Sequence, residues 1–331
     1  MPSPMSLTPA SQAFLAQIYP PNAPPARDMP LDVGRAKMEA AARALGGPYL
    51  SVRRVEDLSI PSLDGNASVK VRVYSPKIDA TLPVLLYAHG GGFVKGNLET
   101  HDQLCRRIAV GSDHVVVAVD YRLSPEHRFP AALDDVEAAY TWVVGQVAWD
   151  ATRISLAGDS AGGNLMSALA VRLAGKPESQ VRPEHRIRRQ VLIYPVVDVR
   201  RRGESYETYG TGYGLSATAI DYYLESYLGP AYTDAKDEDA RRAVLEKPEV
   251  STILYQHPEK LPPTLILTAA CDPLASEAGL LKERLEAAGV PVRQIIYPDT
   301  VHAYMTFFDI FPESEQSLEE IVRFLNEDIG S

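Results

Sequence analysis

Five short, almost wholly apolar runs limit what this chain can become. They lie at residues 84–88, 115–119, 154–157, 191–194 and 265–268. Each is too short for a buried helix and lacks the alternation of a strand with one wet face. Runs of this kind read as strands covered on both sides, the habit of parallel sheets. A shorter run at 295–297 reads as the last strand. Residues 69–74 alternate apolar with basic side chains, as in a half-exposed edge strand. Helical stretches are expected between the strands, at 102–110, 131–144, 163–173 and 275–288. Strand alternating with helix predicts an α/β fold with a mostly parallel sheet flanked by helices.

Two regions break the rhythm. Ahead of the strands, residues 11–19 read as a short helix, 20–30 are proline-broken, and 31–45 form an alanine-rich helix stopped by Gly46-Gly47. Residues 200–256 hold no strong strand but many tyrosines and much charge, and read as a helical insertion. The expected division is therefore 1–50 as an N-terminal part of a helical cap, 51–199 with 257–331 as the catalytic domain, and 200–256 as a cap insertion.

The 331 residues carry a net charge of −10, which argues against nucleic acid or an anionic membrane as partner. Arg186, Arg188, Arg189 and Arg200 to Arg202 form basic clusters, both read as solvated surface. The two cysteines, Cys105 and Cys271, form no CxxC pattern. Reduced thiols, no visible secretory signal and no apolar run near the roughly 18 residues of a bilayer span predict a cytoplasmic protein without membrane contact. On that reading the sequon at Asn66 carries no weight.

The strongest local signal is Gly158-Asp159-Ser160-Ala161-Gly162, entered from an apolar run and followed by a small-residue helix. A serine on so tight a strand-to-helix turn stands clear of the backbone, and glycines two residues either side relieve the crowding. By itself the pattern also fits a plain glycine turn. The second signal is His89-Gly90-Gly91-Gly92-Phe93, directly after another apolar run. Consecutive glycines bare backbone N–H groups, which acyl transfer needs for the oxygen that turns negative. A phosphate loop is the rival reading, but Asn97 stands where its lysine would be.

A serine nucleophile needs a base. Of the seven histidines, His302 follows the last expected strand, at the sheet edge that also carries Ser160. The orienting acid is expected at the end of the preceding strand, which makes Asp272 the first choice, with Asp299 and Glu277 as rivals. Ser, then Asp, then His is the chain order of the α/β hydrolases.

Taken together, these motifs resemble the hormone-sensitive lipase family, in its bacterial branch with the His-Gly-Gly-Gly motif. The resemblance runs from about Val52 onward. It includes Asp120-Tyr121-Arg122-Leu123-Ser124-Pro125-Glu126, Phe129-Pro130-Ala131-Ala132 and Asp272-Pro273-Leu274 as well as the two glycine motifs. It implies an α/β-hydrolase fold with an eight-stranded sheet, a capped site, and Ser160, Asp272 and His302 as catalytic residues. It further implies oxyanion donors at the N–H groups of Gly91, Gly92 and Ala161, with His89, Gly90, Gly158, Asp159 and Gly162 supporting the motifs. Glu126 resembles an ion-pairing residue without chemistry, dimerisation through the last strand and helix is common among such relatives, and glycine-rich oxyanion loops are associated with tolerance of bulky alcohols. Relatives commonly follow the histidine with Gly-Phe, whereas this chain has Ala303-Tyr304.

The expected function is hydrolysis of short- to medium-chain acyl esters through an acyl-enzyme, on a small-molecule ester, with no cofactor and no metal. An amidase, peptidase or lactonase on the same triad, a true lipase, and a non-catalytic ligand receptor are the competing readings. Tyr206, Tyr209, Tyr213, Tyr222, Tyr223 and Tyr227 read mainly as packing residues, and Cys271 as a small buried hydrophobe.

Overall fold

The computed structural model describes residues 7–20, 22–177, 180–200, 203–233 and 237–328. Eight strands form one sheet: β1 (Arg54–Pro61), β2 (Ser68–Ser75), β3 (Pro83–Ala88), β4 (Val115–Asp120), β5 (Asp150–Asp159), β6 (Arg189–Ile193), β7 (Thr264–Cys271) and β8 (Val292–Val301). Their spatial order is β1-β2-β4-β3-β5-β6-β7-β8. The β1–β2 and β2–β4 pairs are antiparallel, and every later pair is parallel. The helices are α1 (Pro9–Ile18), α2 (Leu31–Leu45), α3 (Asp102–Ser112), α4 (Ala131–Val144), α5 (Ala161–Ala174), α6 (Glu204–Tyr209), α7 (Ala217–Leu228), α8 (Pro230–Thr233), α9 (Glu238–Leu245), α10 (Ala275–Ala287) and α11 (Pro312–Asn326).

The apolar runs do what their composition demands. Along β3, Val84, Leu86 and Ala88 join one core with α4, α5 and α10, while Leu85 and Tyr87 join a second core with α3 and α11. Each fully buried valine or leucine among them contributes about 1.5–3 kcal/mol of burial. The centre of the sheet is thus dry on both faces, and its strand ends are the places where polar groups can emerge.

Three expectations need correction. The segment at 69–74 is strand β2 but not an edge, because β1 pairs outside it; half of β1 is polar, and it has no clean two-residue period. The run at 295–297 is only the middle of β8, whose polar flanks are held by backbone pairing to β7. Arg189 is not surface: it lies on β6, 8% exposed, with its guanidinium donating to the carbonyls of Leu325 and Glu327. Those carbonyls at the end of α11 supply the acceptors that the basic cluster does not reveal. Arg186 and Arg188 are exposed, Arg200 pairs with Asp198, and Arg201 and Arg202 lie outside the described residues.

Candidate active site

The turn from β5 into α5 carries Ser160 at φ 54° and ψ −118°, a conformation that an L-residue adopts only at a cost of about 1–3 kcal/mol. Surrounding structure holds it there: Ser160 N donates to Ile193 O at 2.8 Å, and Ser160 O accepts from Asn164 N at 3.1 Å. Gly162 explains the need for small residues, since a Cβ there would fall 2.0 Å from Ala88 O.

The other two side chains arrive from the neighbouring strand ends. Asp272 follows β7 and is fully buried; its Oδ1 accepts from Leu274 N at 2.9 Å, which fixes the carboxylate plane. His302 follows β8. Its Nδ1 donates to Asp272 Oδ2 at 2.6 Å, which leaves Nε2 as the acceptor facing Ser160 Oγ at 2.9 Å. Neither acid rival bonds His302. Glu277 Oε1 accepts from Val197 N, and Asp299 offers its backbone carbonyl to Ser11 Oγ. Burial, together with neighbouring Asp198 and Asp272, pushes the Glu277 carboxyl well above the usual range.

The glycine loop after β3 lies against the serine turn. Gly91 (φ 125°) and Gly92 (φ 65°) occupy backbone that side chains rarely adopt. Gly91 O accepts from Lys95 N at 2.9 Å, closing a tight turn. Among the described residues the N–H groups of Gly91 and Gly92 have no protein acceptor. Ala161 N, the first amide of α5, likewise has no intrahelical partner. Gly90 N instead donates to Asp159 Oδ1 at 2.9 Å, and Tyr87 OH donates to the same oxygen at 2.7 Å. Burial opposes the charge on Asp159, yet His101, Tyr87 and His89 together hold its carboxyl below the usual range. His89 is stacked on Tyr121 at 4.2 Å, and burial first, then the charge of His101, pushes its imidazole down to about 3. His89 is therefore neutral and serves as packing.

Helical segments close over this edge. The Tyr223 ring of α7 lies directly on Gly92, so that a Cβ there would fall 2.5 Å from it, and Tyr227 stacks on Phe93 at 3.8 Å. Tyr227 and Tyr206 are buried packing residues, as expected; Tyr223 is partly exposed. From α2, Arg35 pairs with Glu126 at 2.8 Å and donates to Val94 O at 2.9 Å. The sequence reading gave Glu126 its ion pair but missed the partner, and it also missed His101 and Tyr194, whose ring is 4.7 Å from that of His302. No local pattern marks either residue; only the fold brings them to the site. Cys271 is buried, which pushes its thiol up to about 11. The described residues contain no cluster of three or more His, Cys, Asp or Glu side chains that could hold a metal, and no helix long and apolar enough to cross a membrane.

A serine, an imidazole and a carboxylate in line at the C-terminal edge of such a sheet define the α/β-hydrolase class. The chain belongs to that fold family, whose model matches residues 85–306, and to its hormone-sensitive-lipase-like carboxylesterase branch. It is 34% identical to an ethyl acetate hydrolase of Pseudomonas putida over 98% of this chain and 99% of that protein. A carboxylesterase NlhH of Mycobacterium tuberculosis is 35% identical, over 87% of this chain and 86% of its own. Among solved structures, a hyperthermophilic esterase from the archaeon Pyrobaculum calidifontis superposes with a TM-score of 0.83 at 34% identity, covering 97% of this chain and 98% of that one.

Proposed function

We propose that the protein is a serine carboxylesterase that hydrolyses short- to medium-chain acyl esters of small molecules. The observation that carries this reading is the unbroken line Ser160 Oγ, His302 Nε2, His302 Nδ1, Asp272 Oδ2, with spacings of 2.9 Å and 2.6 Å at its two hydrogen bonds. His302 takes the Ser160 proton as Oγ attacks the ester carbonyl. Asp272 keeps the imidazole in the required tautomer and stabilises its cationic form. The N–H groups of Gly91, Gly92 and Ala161 receive the oxyanion. His302 then protonates the leaving alcohol, and water repeats the sequence on the acyl-enzyme.

The names of the relatives favour esters over amides and lactones, and ethyl acetate is a short-chain substrate. Tyr223 packs directly over Gly92 of the glycine loop, and on this reading its ring limits the room for a long chain there. On this reading α1 and α2 form one part of the cap and α6 to α9 the other. Cys105 and Cys271, buried and not joined in a disulfide, fit a cytoplasmic location. A homodimer through β8, an edge strand with Ile296 57% exposed, accompanies the proposal, with sedimentation equilibrium as its test.

The deciding experiment is hydrolysis of p-nitrophenyl esters from two to sixteen carbons by the wild type and Ser160→Ala. A short-chain maximum that vanishes in Ser160→Ala is expected. Full activity in Ser160→Ala would overturn the serine mechanism, and a long-chain maximum would point to a lipase.

A further inference from the structure

Beneath the glycine loop lies a buried polar cluster that the reaction does not consume. His101, 2% exposed, stands at the start of α3 with Nε2 3.1 Å from Asp159 Oδ1, close but not in line for a straight hydrogen bond. The same Asp159 oxygen accepts from Gly90 N and Tyr87 OH. On its other side His101 Nδ1 meets Thr100 Oγ1 at 2.8 Å, and that hydroxyl lies 2.7 Å from Asn97 O and accepts from Asn97 N at 3.0 Å. Asn97 Nδ2 in turn donates to Glu39 Oε2 of α2 at 2.9 Å. A run of close polar contacts therefore leads from α2 to the residue before Ser160 and to the amide before Gly91, its His101–Asp159 link being a 3.1 Å approach and not a straight hydrogen bond.

The position of Asp159 matters because one carboxylate ties the serine turn to the glycine loop. Its backbone leads into Ser160, and its side chain holds Gly90, one residue ahead of the amides that would receive the oxyanion. A buried carboxylate with two donors on one oxygen still needs a cationic or hydrogen-bonding neighbour to stay in place. His101 is that neighbour, flanked by Thr100 at its back.

Resting on the serine-esterase reading, we infer that His101 is a positioning residue: by holding Asp159, it fixes the Gly91 and Gly92 amides relative to Ser160. It touches no reacting atom. Its removal loosens the oxyanion loop, so the loss falls on the transition state and not on substrate binding. One missing oxyanion donor lowers kcat by roughly a hundred- to a thousandfold; displaced donors retain part of that, so a loss of about ten- to a hundredfold is expected.

The test compares His101→Leu, His101→Gln and His101→Asn, with kcat expressed per serine titrated by a p-nitrophenyl phosphonate. The Leu variant is expected to lose kcat by that factor with little change in KM. Its affinity for an alkyl trifluoromethyl ketone, which mimics the tetrahedral adduct, should fall in step. The Gln variant places a donor near the position of Nε2 and should recover most of the loss, whereas the shorter Asn should not. On an Asp159→Ala background His101→Leu should add no further loss. Unchanged kcat and ketone affinity per titrated site would overturn the inference, as would full additivity with Asp159→Ala. If the Leu variant does not fold, the contrast between Gln and Asn decides, and equal activity in the two overturns it. Ser160→Ala run alongside separates the two readings: an active Ser160→Ala sinks the mechanism itself, while an inactive one leaves the His101 result to stand alone.

Discussion

Gly162→Ala isolates one steric demand of the serine turn. The position lies in the first turn of α5 and has no positive φ, so alanine meets no backbone penalty there. The new methyl, however, would stand 2.0 Å from Ala88 O and 2.6 Å from His89 O. Both are main-chain atoms, and His89 O is already engaged by Tyr121 OH at 2.7 Å, so neither can swing aside. Relief to a separation of 3.0 Å requires α5 and the end of β3 to part by at least about 1 Å. That motion pulls Ser160 away from Gly91 and Gly92. A misplacement of about 1 Å can cost roughly a hundredfold in rate, or about 2.7 kcal/mol of transition-state stabilisation. Overpacking adds a stability loss of about 1–3 kcal/mol. The assay is kcat/KM on p-nitrophenyl butyrate, corrected for titratable serine, beside a thermal melt. Gly145→Ala is the control: it is exposed, has ordinary helical backbone, and its Cβ comes no closer than 3.4 Å to Trp142 O. A Gly162→Ala enzyme with wild-type kcat/KM per active serine would refute the argument that this contact sets the spacing between serine and glycine loop.

Four further outcomes are expected. Asp272→Asn should lower kcat by about ten-thousandfold while leaving the fold intact, because the amide supports the wrong imidazole tautomer; a loss under tenfold would move the orienting role elsewhere. Tyr223→Ala should shift the chain-length maximum to longer esters by uncovering Gly92, read directly from a p-nitrophenyl series, and an unchanged profile would remove Tyr223 from the pocket wall. Ala303 sits at φ 68°, where glycine is unstrained, so Ala303→Gly should raise stability by up to about 1 kcal/mol in urea unfolding at unchanged kcat. Burial raises the Glu277 carboxyl above its ordinary range in the folded state only, so the native state binds more protons than the unfolded chain as pH climbs past that range, and the wild type loses stability there. Glu277→Gln removes that dependence, and its melting temperature relative to wild type should therefore rise between pH 5 and pH 8.

The central strands were legible because a strand dry on both faces must be continuously apolar, and β3, β4 and β7 have no other way to be built. Strands β1 and β8 were not, or only in part, because at the sheet's two edges backbone pairing holds polar residues such as Glu56, Arg293 and Gln294 without any apolar signature. The meeting of Ser160, Asp272 and His302 could be read from strand order, since each follows a strand whose C-terminal end faces the same edge. What contacts them could not. His101 looks like any histidine ahead of a helix, and Tyr223 like any cap tyrosine, until the crossing of α3 and α7 with the glycine loop assigns their neighbours. Arg189 misled for the same reason: its acceptors lie at the far end of the chain.

The seat of α1 has a consequence for how the protein is made. Phe14 packs against Phe307 and Phe311 with ring centroids 4.8 Å and 5.1 Å apart, and Ser11 Oγ donates to Asp299 O at 2.7 Å. A ribosome adding about 5–20 residues per second needs roughly 15–60 s between emitting Phe14 and emitting its partners. Throughout that interval the Phe14 face of the first helix stays without its docking surface, so this helix completes its packing only after Asp299, Phe307 and Phe311 have been made.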